Sequence, residues 1–286
     1  SPLYSIWVAV GEGNNSIAYS INEGITWTGV TNSTSIFSIR GNAVAWNGSR
    51  FLAGGYGTNS LAYSNDGINW VTVTNSTSIF SVFSNGVASN GTYWIAIGKG
   101  INSIAYSLDN GLNWTGLGTS NITPANISYN GNRFVIIGAG SSPIIYSDNG
   151  TTWNNANNSS NVFAMGGSFI AWNDSRWVAF GSGFSGNIIA YSNDNGVNWA
   201  MGARADPTSS SIFSVSAFAL TGYTYPPRNT EIEAEPEPEP EQAIFNKSMP
   251  EKFSIADGGN GFMLGRRAFS KNIHLSYYKQ HLLYFL

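Results

Sequence analysis

A short polar stretch that ends in tryptophan recurs five times along the chain. Its third copy is Ser107-Leu-Asp-Asn-Gly-Leu-Asn-Trp114, and the glycines of the five copies lie 43, 44, 39 and 46 residues apart. A fixed period of this size indicates one supersecondary unit repeated several times, so the fold must follow from that unit. The five copies span residues 20–27, 64–70, 107–114, 147–153 and 192–199.

This stretch has the composition of a tight turn that leads into a strand. Asp or Asn can hydrogen-bond its side chain to the backbone two residues on, and glycine supplies the positive φ that such a turn needs. We expect each tryptophan to start the next strand and to bury its ring in the core. Copies one, three and five have the full length, whereas copies two and four are one residue shorter between serine and glycine.

The pattern Ser-x-Asp-x-Gly-x-x-Trp resembles the Asp-box (BNR) repeat of sialidases and of many other β-propellers. The resemblance covers residues 1–223 and implies a propeller fold. It implies no particular activity, because the box is a turn device that recurs in proteins of unrelated function. The charge-poor repeats, rich in Asn and Thr, are also similar to Asp-box proteins encoded by large DNA viruses. Five-bladed lectins of the tachylectin type offer an architectural parallel.

Between the turns, each repeat is predicted to form four short strands. Residues 50–55 have an equivalent in every repeat, followed by a loop, by Ser60-Leu-Ala-Tyr-Ser64, by the turn, and by a strand from Trp70. A longer connection containing Ser-Ile-Phe-Ser leads to the next repeat. No helical periodicity occurs before residue 224. Four-stranded sheets arranged radially are propeller blades.

The two ends of the repeat array complement each other. Residues 1–30 supply only the second, third and fourth strands of a blade, while residues 212–222 align with residues 36–46 as a first strand. Joining the two parts completes a fifth blade and leaves no open sheet edge. We therefore predict an all-β fold: a five-bladed β-propeller of four-stranded Asp-box blades over residues 1–223, closed by a C-terminal strand that joins the N-terminal blade.

Charge divides the rest of the chain into two further segments. Residues 224–241 carry one arginine and six glutamates, and their alternating Glu-Pro run predicts an extended acidic linker. Residues 242–286 carry a net charge of +4 and end in aromatic and aliphatic residues. Such a segment is too short for a core of its own, so we expect a tail that docks on a protein partner.

Composition limits the chemistry that the chain can carry. It has no cysteine, so neither disulfides nor thiolate metal sites exist. No apolar run approaches the roughly 20 residues of a membrane-spanning helix. Because the chain starts at Ser1-Pro2, we expect a processed or trimmed N-terminus.

One face of the predicted propeller varies from blade to blade. The loops between second and third strands share this face with the connections between blades, and the repeat turns lie on the opposite face. Varied side chains on a constant scaffold are typical of a binding surface, although drift on exposed loops produces the same pattern. The candidate ligand-binding residues are Glu12, Arg40, Tyr56, Phe83 and Lys99.

A catalytic site is not expected. The sialidase resemblance implies three substrate-binding arginines, but Arg50, Arg133 and Arg176 occupy one equivalent repeat position and look like strand-start residues. Other glycosidases need two opposed carboxylates, and the propeller has only Glu12 and Glu23 as glutamates, with its turn aspartates committed to turns. Both histidines lie in the tail, which excludes a Ser-His-Asp triad and histidine-based metal binding in the propeller.

The sequence thus favours a non-catalytic surface binding or structural module, in which the variable face recognises a glycan or a protein receptor. We expect an extracellular or virion-surface location, no cofactor, and no nucleic acid among the partners. Two alternatives stay open: a degenerate sialidase-like glycoside hydrolase, and an intracellular assembly scaffold similar to the Asp-box propellers that serve as photosystem assembly factors.

Overall fold

The computed structural model describes residues 6–183, 186–202, 262–267 and 283–285. These ranges form antiparallel sheets of short strands joined by tight turns. In chain order the strands are β1 (Ile6–Val10), β2 (Ile17–Ser20), β3 (Thr28–Gly29), β4 (Arg40–Trp46), β5 (Phe51–Tyr56), β6 (Leu61–Ser64), β7 (Val71–Thr72), β8 (Phe83–Ser89), β9 (Trp94–Lys99), β10 (Ile104–Ser107), β11 (Thr115–Gly116), β12 (Ile122–Tyr129), β13 (Phe134–Gly140), β14 (Ile144–Ser147), β15 (Asn154–Asn155), β16 (Gly166–Trp172), β17 (Trp177–Gly183), β18 (Gly186–Ser192), β19 (Ala200–Met201), β20 (Phe262–Arg267) and β21 (Leu283–Phe285).

These strands fall into five units, and β1 to β19 follow the sequence repeat. Unit I is β21-β20-β1-β2-β3, unit II is β4–β7, unit III is β8–β11, unit IV is β12–β15 and unit V is β16–β19. Units II and III are joined into one eight-stranded sheet by a single pair, Tyr56 opposite Phe83. The four short antiparallel strands predicted for each repeat are therefore present in units II to V.

Each unit buries its second and third strands. Leu52 and Ala53 on β5, and their counterparts Ile95 and Ala96 on β9, are completely buried. This burial explains why these strands have continuous apolar sequences, since both of their faces pack against neighbouring units. The first strand carries a β-bulge in units II to V, and Asn42 and Asn85 are the bulged residues in units II and III.

In the described part of the chain, three single-turn helices lie in connections between units, where the sequence indicates no helix. They are α1 (Ser33–Ile36), α2 (Ser76–Ile79) and α3 (Ser159–Val162), each preceded by an asparagine in the left-handed conformation. The residue that follows each helix, a phenylalanine in all three (Phe37, Phe80 and Phe163), is fully buried. A Cβ atom on Gly55 would come within 2.4 Å of the Phe37 ring. Glycine on the second strand therefore makes room for this phenylalanine.

The strand beside β1 differs from the one that the sequence analysis places there. β20 pairs antiparallel with β1, with Ile6 opposite Arg267 and Val10 opposite Met263. A C-terminal strand thus joins the N-terminal unit, but it comes from the segment interpreted as a docking tail. Residues 212–223, the expected closing strand, lie outside the described residues. β20 lacks the repeat signature, because pairing with β1 requires only backbone hydrogen bonds. A comparison of the repeats therefore could not predict this strand.

Candidate functional site: the rim opposite the repeat turns

The five Ser-to-Trp stretches, which we call the repeat turns, share one hydrogen-bond pattern. The serine hydroxyl donates to the Asp or Asn side chain two residues on, as in Ser64 Oγ to Asp66 Oδ1 at 2.9 Å. The glycine N–H donates back to that hydroxyl, over 2.8 Å from Gly67 to Ser64. Gly24, Gly67, Gly111, Gly150 and Gly196 all have φ between 72° and 87°. The predicted turn chemistry is confirmed.

Turn geometry also sets the charge state of the aspartates. Partial burial by itself raises the pKa of the Asp66 carboxyl, but hydrogen bonds from Asn69, Ile68 and Ser64 outweigh it and leave that pKa below its usual value. Burial and hydrogen bonds oppose each other in the same way at Asp109 and Asp194, where the pKa is again lowered. These carboxylates are acceptors within their turns.

The turn tryptophans depart from the expected burial. Each indole N–H donates to the carbonyl of its turn glycine, at 3.0 or 3.1 Å in all five copies. Only Trp199, with 2% of its surface exposed, is fully buried as predicted, whereas Trp27 is 39% exposed. The shared role of these rings is to fasten the turn through the indole N–H.

The three equivalent arginines lie on the turn side of the units, each over a tyrosine ring of its own unit, and Arg50 and Arg133 also contact the next unit. Arg50 lies over the Tyr63 ring at 4.4 Å and donates across to the Asn110 carbonyl of unit III at 2.8 Å. Arg133 lies over Tyr146 and donates to the Asn195 carbonyl of unit V at 3.0 Å. The interpretation of these arginines as structural residues agrees with these contacts.

Arg133 also forms an ion pair with Asp148, a residue of the fourth repeat turn that the sequence analysis assigned to the turn itself. In the fourth turn Asn149, not Asp148, accepts the serine hydroxyl, over 3.1 Å. Asp148 instead accepts two hydrogen bonds from Arg133, at 2.6 and 2.9 Å. The hydrogen bond from the Arg133 guanidinium holds the pKa of the Asp148 carboxyl below its usual value.

The five candidate binding residues form one continuous row at the opposite ends of the same strands. Glu12 pairs with Arg40 in an isolated bridge, and Arg40 pairs with Tyr56. Tyr56 pairs with Phe83 across the junction of two units, and Phe83 pairs with Lys99. With neighbouring strands about 4.8 Å apart, this rim row is on the order of 20 Å long. The structure thus brings all five residues together.

Chemically the rim row has charged ends and an aromatic centre. The rings of Tyr56 and Phe83 meet edge to face, with centroids 5.8 Å apart and both side chains half-buried. Glu12, Arg40 and Lys99 are exposed. Arg40 Nε donates to Asn42 Oδ1 at 3.0 Å, and no ion pair joins Glu12 to Arg40 in the described structure. The charges are therefore open to a ligand.

The row continues into units IV and V with small side chains. Thr123 pairs with Ala139, and Gly166 pairs with Ser182. A Cβ on Gly166 would lie 3.0 Å from the Ala139 Cβ, so the two units are in close contact here. The face therefore has a charged and aromatic half on units I to III and a flat half on units IV and V.

A pocket of about 240 Å³ lies between the outer strands of units I and II. Tyr19 and Trp70 are its aromatic walls, and Thr31 and Asn69 contribute polar groups. Sequence reasoning did not predict this pocket, because it arises where two sheets meet and no single motif encodes it.

Within the described ranges, no cluster of three or more His, Cys, Asp or Glu side chains could hold a metal ion. No helix in that part of the chain is long and apolar enough to cross a membrane.

Comparison with known proteins identifies the fold and nothing narrower. No family model and no curated protein matches the sequence. The structure of YCF48 from Cyanidioschyzon merolae superposes with a TM-score of 0.52 at 16% identity, over 76% of this chain and 74% of that one. YCF48 bound to D1 peptide gives 0.49 and 18%, over 70% of this chain and 63% of that one. The Niastella koreensis GH74 enzyme gives 0.44 and 16%, over 69% and 30%.

These structural neighbours are β-propeller proteins, and the chain has a β-propeller fold. It spans less than two thirds of the YCF48 chain in the peptide complex and under a third of the GH74 enzyme. At these identities the likeness concerns the fold alone.

Proposed function

We propose that this chain is a non-catalytic binding propeller with five Asp-box blades, and that the rim row binds an extended segment of a protein partner. The observation that carries the proposal is the row itself. Glu12, Arg40, Tyr56, Phe83 and Lys99 come from three units and lie strand beside strand on one face. A continuous strip of varied side chains on a rigid scaffold supports a binding role for this face.

Length and charge define the partner segment. A strip on the order of 20 Å matches about six extended residues at about 3.3 Å each. The half-buried Tyr56 and Phe83 suit an apolar or aromatic side chain at the centre of that segment. Arg40 and Lys99 lie on either side of the rings, so acidic residues flanking the apolar one complete the match.

A sialidase-like site would need arginines and carboxylates that are available to a substrate. In this structure these side chains are engaged in contacts with the protein itself, which supports the non-catalytic part of the proposal. Arg50 and Arg133 lie against tyrosine rings and bridge to the next unit. Asp66, Asp109 and Asp194 accept hydrogen bonds inside their own turns. Groups engaged in this way hold the scaffold together and leave the rim to bind. We also propose an extracellular or virion-surface location. Asn47, Asn75 and Asn90 lie in Asn-x-Ser/Thr sequences, the acceptor pattern for N-linked glycans, and detection of glycans on them would test this location.

A peptide library tests the rim directly. We expect seven-residue peptides with acidic residues around an aromatic one to bind, and Tyr56→Ala to weaken binding by about 1–3 kcal/mol through loss of ring contact. Lys99→Glu should reverse the charge preference of the selected peptides. Leu112→Ala is the matched control, because Leu112 is 43% exposed but lies in a repeat turn on the other face. Equal weakening by Leu112→Ala and Tyr56→Ala would refute the rim site.

Glycan binding is the second candidate, and the same aromatic pair favours it. A half-buried tyrosine ring can stack on one sugar of an oligosaccharide while Glu12 and Lys99, at the two ends of the row, contact hydroxyls of other sugars. A glycan array probed with the wild-type protein and with Tyr56→Ala separates the two candidates. If the wild-type protein binds sugars on the array, Tyr56→Ala does not, and the peptide library yields no binder, then the partner of the rim row is a glycan and not a protein.

A further inference from the structure

The junctions between neighbouring units differ at their outer edge, where the outer strand of one unit meets the repeat turn of the next. At the junction of units IV and V, Asn157 Nδ2 donates to Asn198 Oδ1 at 3.0 Å, and the two residues also form a backbone bridge. The Asn158 amide donates to the Trp199 carbonyl at 3.0 Å, and Trp199 is fully buried. This junction is therefore closed over its turn tryptophan.

The junction of units I and II is built from equivalent positions but stays open. Thr31 lies two residues after β3, as Asn157 lies two residues after β15. Asn69 precedes the turn tryptophan of unit II, as Asn198 does in unit V. In the described structure Thr31 makes no hydrogen bond to Asn69, and both line the pocket of about 240 Å³ between these units, which we call the outer pocket. A cavity thus lies where the other junction has a polar pair.

Two half-buried aromatic rings are the walls of the outer pocket. Tyr19 and Trp70 both pack against the hydrophobic core and also line the pocket. The tyrosines equivalent to Tyr19 in units II, IV and V lie under an arginine, whereas Ile6 holds the arginine position in unit I. Among the described residues no guanidinium lies over the Tyr19 ring, so a ligand in the pocket can contact it.

The polar groups of the outer pocket are neutral. They are the hydroxyls of Tyr19, Thr28 and Thr31 and the Oδ1 atom of Asn69. The Asn69 N–H groups donate to Asp66, but its Oδ1 atom and the three hydroxyls have no hydrogen-bond partner in the described part of the chain. Because enclosing an unpaired polar group costs free energy, a ligand held here must supply hydrogen bonds of its own.

Size and chemistry together define the ligand. Cavities that enclose drug-sized molecules have volumes of about 300 Å³ or more, so this smaller one suits a single ring. A pyranose has C–H groups on its ring faces, which suit aromatic walls, and hydroxyls around its edge, which suit the hydroxyls of Thr28 and Thr31. A proline or aromatic side chain would match the walls but leave these polar groups unpaired.

We propose that the outer pocket binds one neutral hexose unit of a glycan, packed against Tyr19 and Trp70. A neutral sugar is specified because no charged side chain is among the described residues that line the pocket. The site is separate from the rim row: Trp70 belongs to a repeat turn, and the rim row lies at the opposite ends of the strands. Binding here does not depend on what the rim row binds.

Titration of the full chain with methyl glycosides of glucose, galactose and mannose tests the outer pocket. The readout is the indole N–H signal of Trp70 in ¹H–¹⁵N spectra, identified by its loss in Trp70→Phe. At least one of these sugars should shift this signal, while the Trp199 signal from the closed junction, identified in the same way, stays unchanged. An equal shift with the methyl glycoside of glucuronic acid, which adds a carboxylate to the same ring, would contradict the preference for a neutral sugar.

Thr31→Asn is the most direct variant, because it rebuilds at this junction the asparagine pair that closes the junction of units IV and V. It should weaken sugar binding by about tenfold or more, the scale of losing both ring contact and hydrogen bonds. Thr74→Asn is the matched control, since Thr74 lies two residues after β7, outside the outer pocket, and the change creates the same Asn-Asn-Ser sequence. Thr28→Ala removes one exposed hydroxyl and should weaken binding about fivefold.

Several results would overturn the proposal. Equal effects of Thr31→Asn and Thr74→Asn, or no effect of either, would refute the site. Absence of a Trp70 shift with every sugar would refute it as well, and a shift caused instead by a proline-rich peptide would assign the pocket to an apolar side chain of a partner. Tyr56→Ala should leave the Trp70 shift unchanged, because Tyr56 belongs to the rim row; loss of the shift in that variant would place the sugar on the rim.

Discussion

At the scale of residues, the repeat turns use matched polar pairs. Where an Asp accepts the serine hydroxyl, the residue before the tryptophan is Asn, and its amide donates to the second carboxylate oxygen, as Asn69 does to Asp66 at 2.7 Å. Where the first turn has Asn22, that residue is Thr26, whose hydroxyl accepts from the Asn22 amide at 2.8 Å. In the second turn the residue before the tryptophan donates, whereas in the first turn it accepts. Asp therefore matches Asn and Asn matches Thr, and a mixed pair would lose this hydrogen bond.

A double-mutant cycle tests this complementarity. Asp66→Asn should place two amide donors against each other and cost about 1 kcal/mol of unfolding free energy, the usual scale of a lost turn hydrogen bond. Asn69→Thr alone removes the donor at a similar cost. The double variant rebuilds the Asn–Thr pair of the first turn and should be more stable than the sum of the two losses predicts. Urea denaturation measures all four proteins, and strictly additive losses would refute the pairing.

The same aspartates predict the acid limit of stability. Because the folded pKa of Asp66, Asp109 and Asp194 is lowered below the ordinary 3.8, their contribution is present above that value. It is lost as pH falls through the folded pKa. The unfolding free energy should therefore be flat from neutral pH down to about 5 and decline below it. The Asp66→Asn, Asn69→Thr double variant should decline less steeply, and an identical acid slope would show that Asp66 contributes nothing.

At the scale of elements, the important contacts are those between units. Arg50 and Arg133 make the same cation–π contact and reach equivalent carbonyls, but only Arg133 has a carboxylate beside it, because Asn65 takes the place of Asp148 in unit II. The two arginines therefore differ by one ion pair on the same scaffold.

That difference predicts different responses to salt. Arg133→Ala and Arg50→Ala should each cost about 1–3 kcal/mol through lost packing and lost hydrogen bonds to the next unit. The excess cost at Arg133 should shrink in about 1 M salt, because screening weakens its partly exposed ion pair. The cost at Arg50 should change little. Denaturation of both variants at low and high salt gives the comparison, and equal salt responses would contradict it.

Elements also show what the sequence could and could not predict. Strands and turns follow from local patterns, so the four strands per repeat and the positive φ of the turn glycines were predictable. The rim row was found because repeat-equivalent positions such as Tyr56 and Lys99 must lie on one face. The links between units were missed, since Arg50 reaches Asn110 across sixty residues and no local pattern encodes such a bond.

At the scale of the whole molecule, the N-terminal unit depends on a strand from far along the chain. β20 covers the edge of β1 over five residue pairs, from Ile6–Arg267 to Val10–Met263. An uncovered sheet edge exposes unpaired N–H and C=O groups and invites association with other strands. The stability of unit I and the solubility of the chain are thus linked to its C-terminal part.

Truncation tests that dependence. A chain ending at residue 261 should unfold at lower temperature and associate more readily than the full chain, because β1 then has a free edge. A chain ending at residue 282 removes β21 and keeps β20, so it serves as the control. If the chain that ends at residue 261 melts like the full chain, the C-terminal segment contributes nothing to the propeller, and the expectation that it docks on a protein partner is favoured.

The alternation of full-length and short turns has a consequence for how such an array can change in size. Arg50 and Arg133 reach the full-length turns of the next units, which offer the carbonyls of Asn110 and Asn195, whereas Ile6 and Tyr93 lie against the glycines of the short turns Ser64–Trp70 and Ser147–Trp153. Loss of unit III alone would place Arg50 against the short turn of unit IV, which has no equivalent of Asn110, and loss of unit II alone would place Ile6 against the full-length turn of unit III. Gain or loss of two adjacent repeats restores every match. We therefore expect such an array to tolerate removal of two adjacent internal repeats better than removal of one.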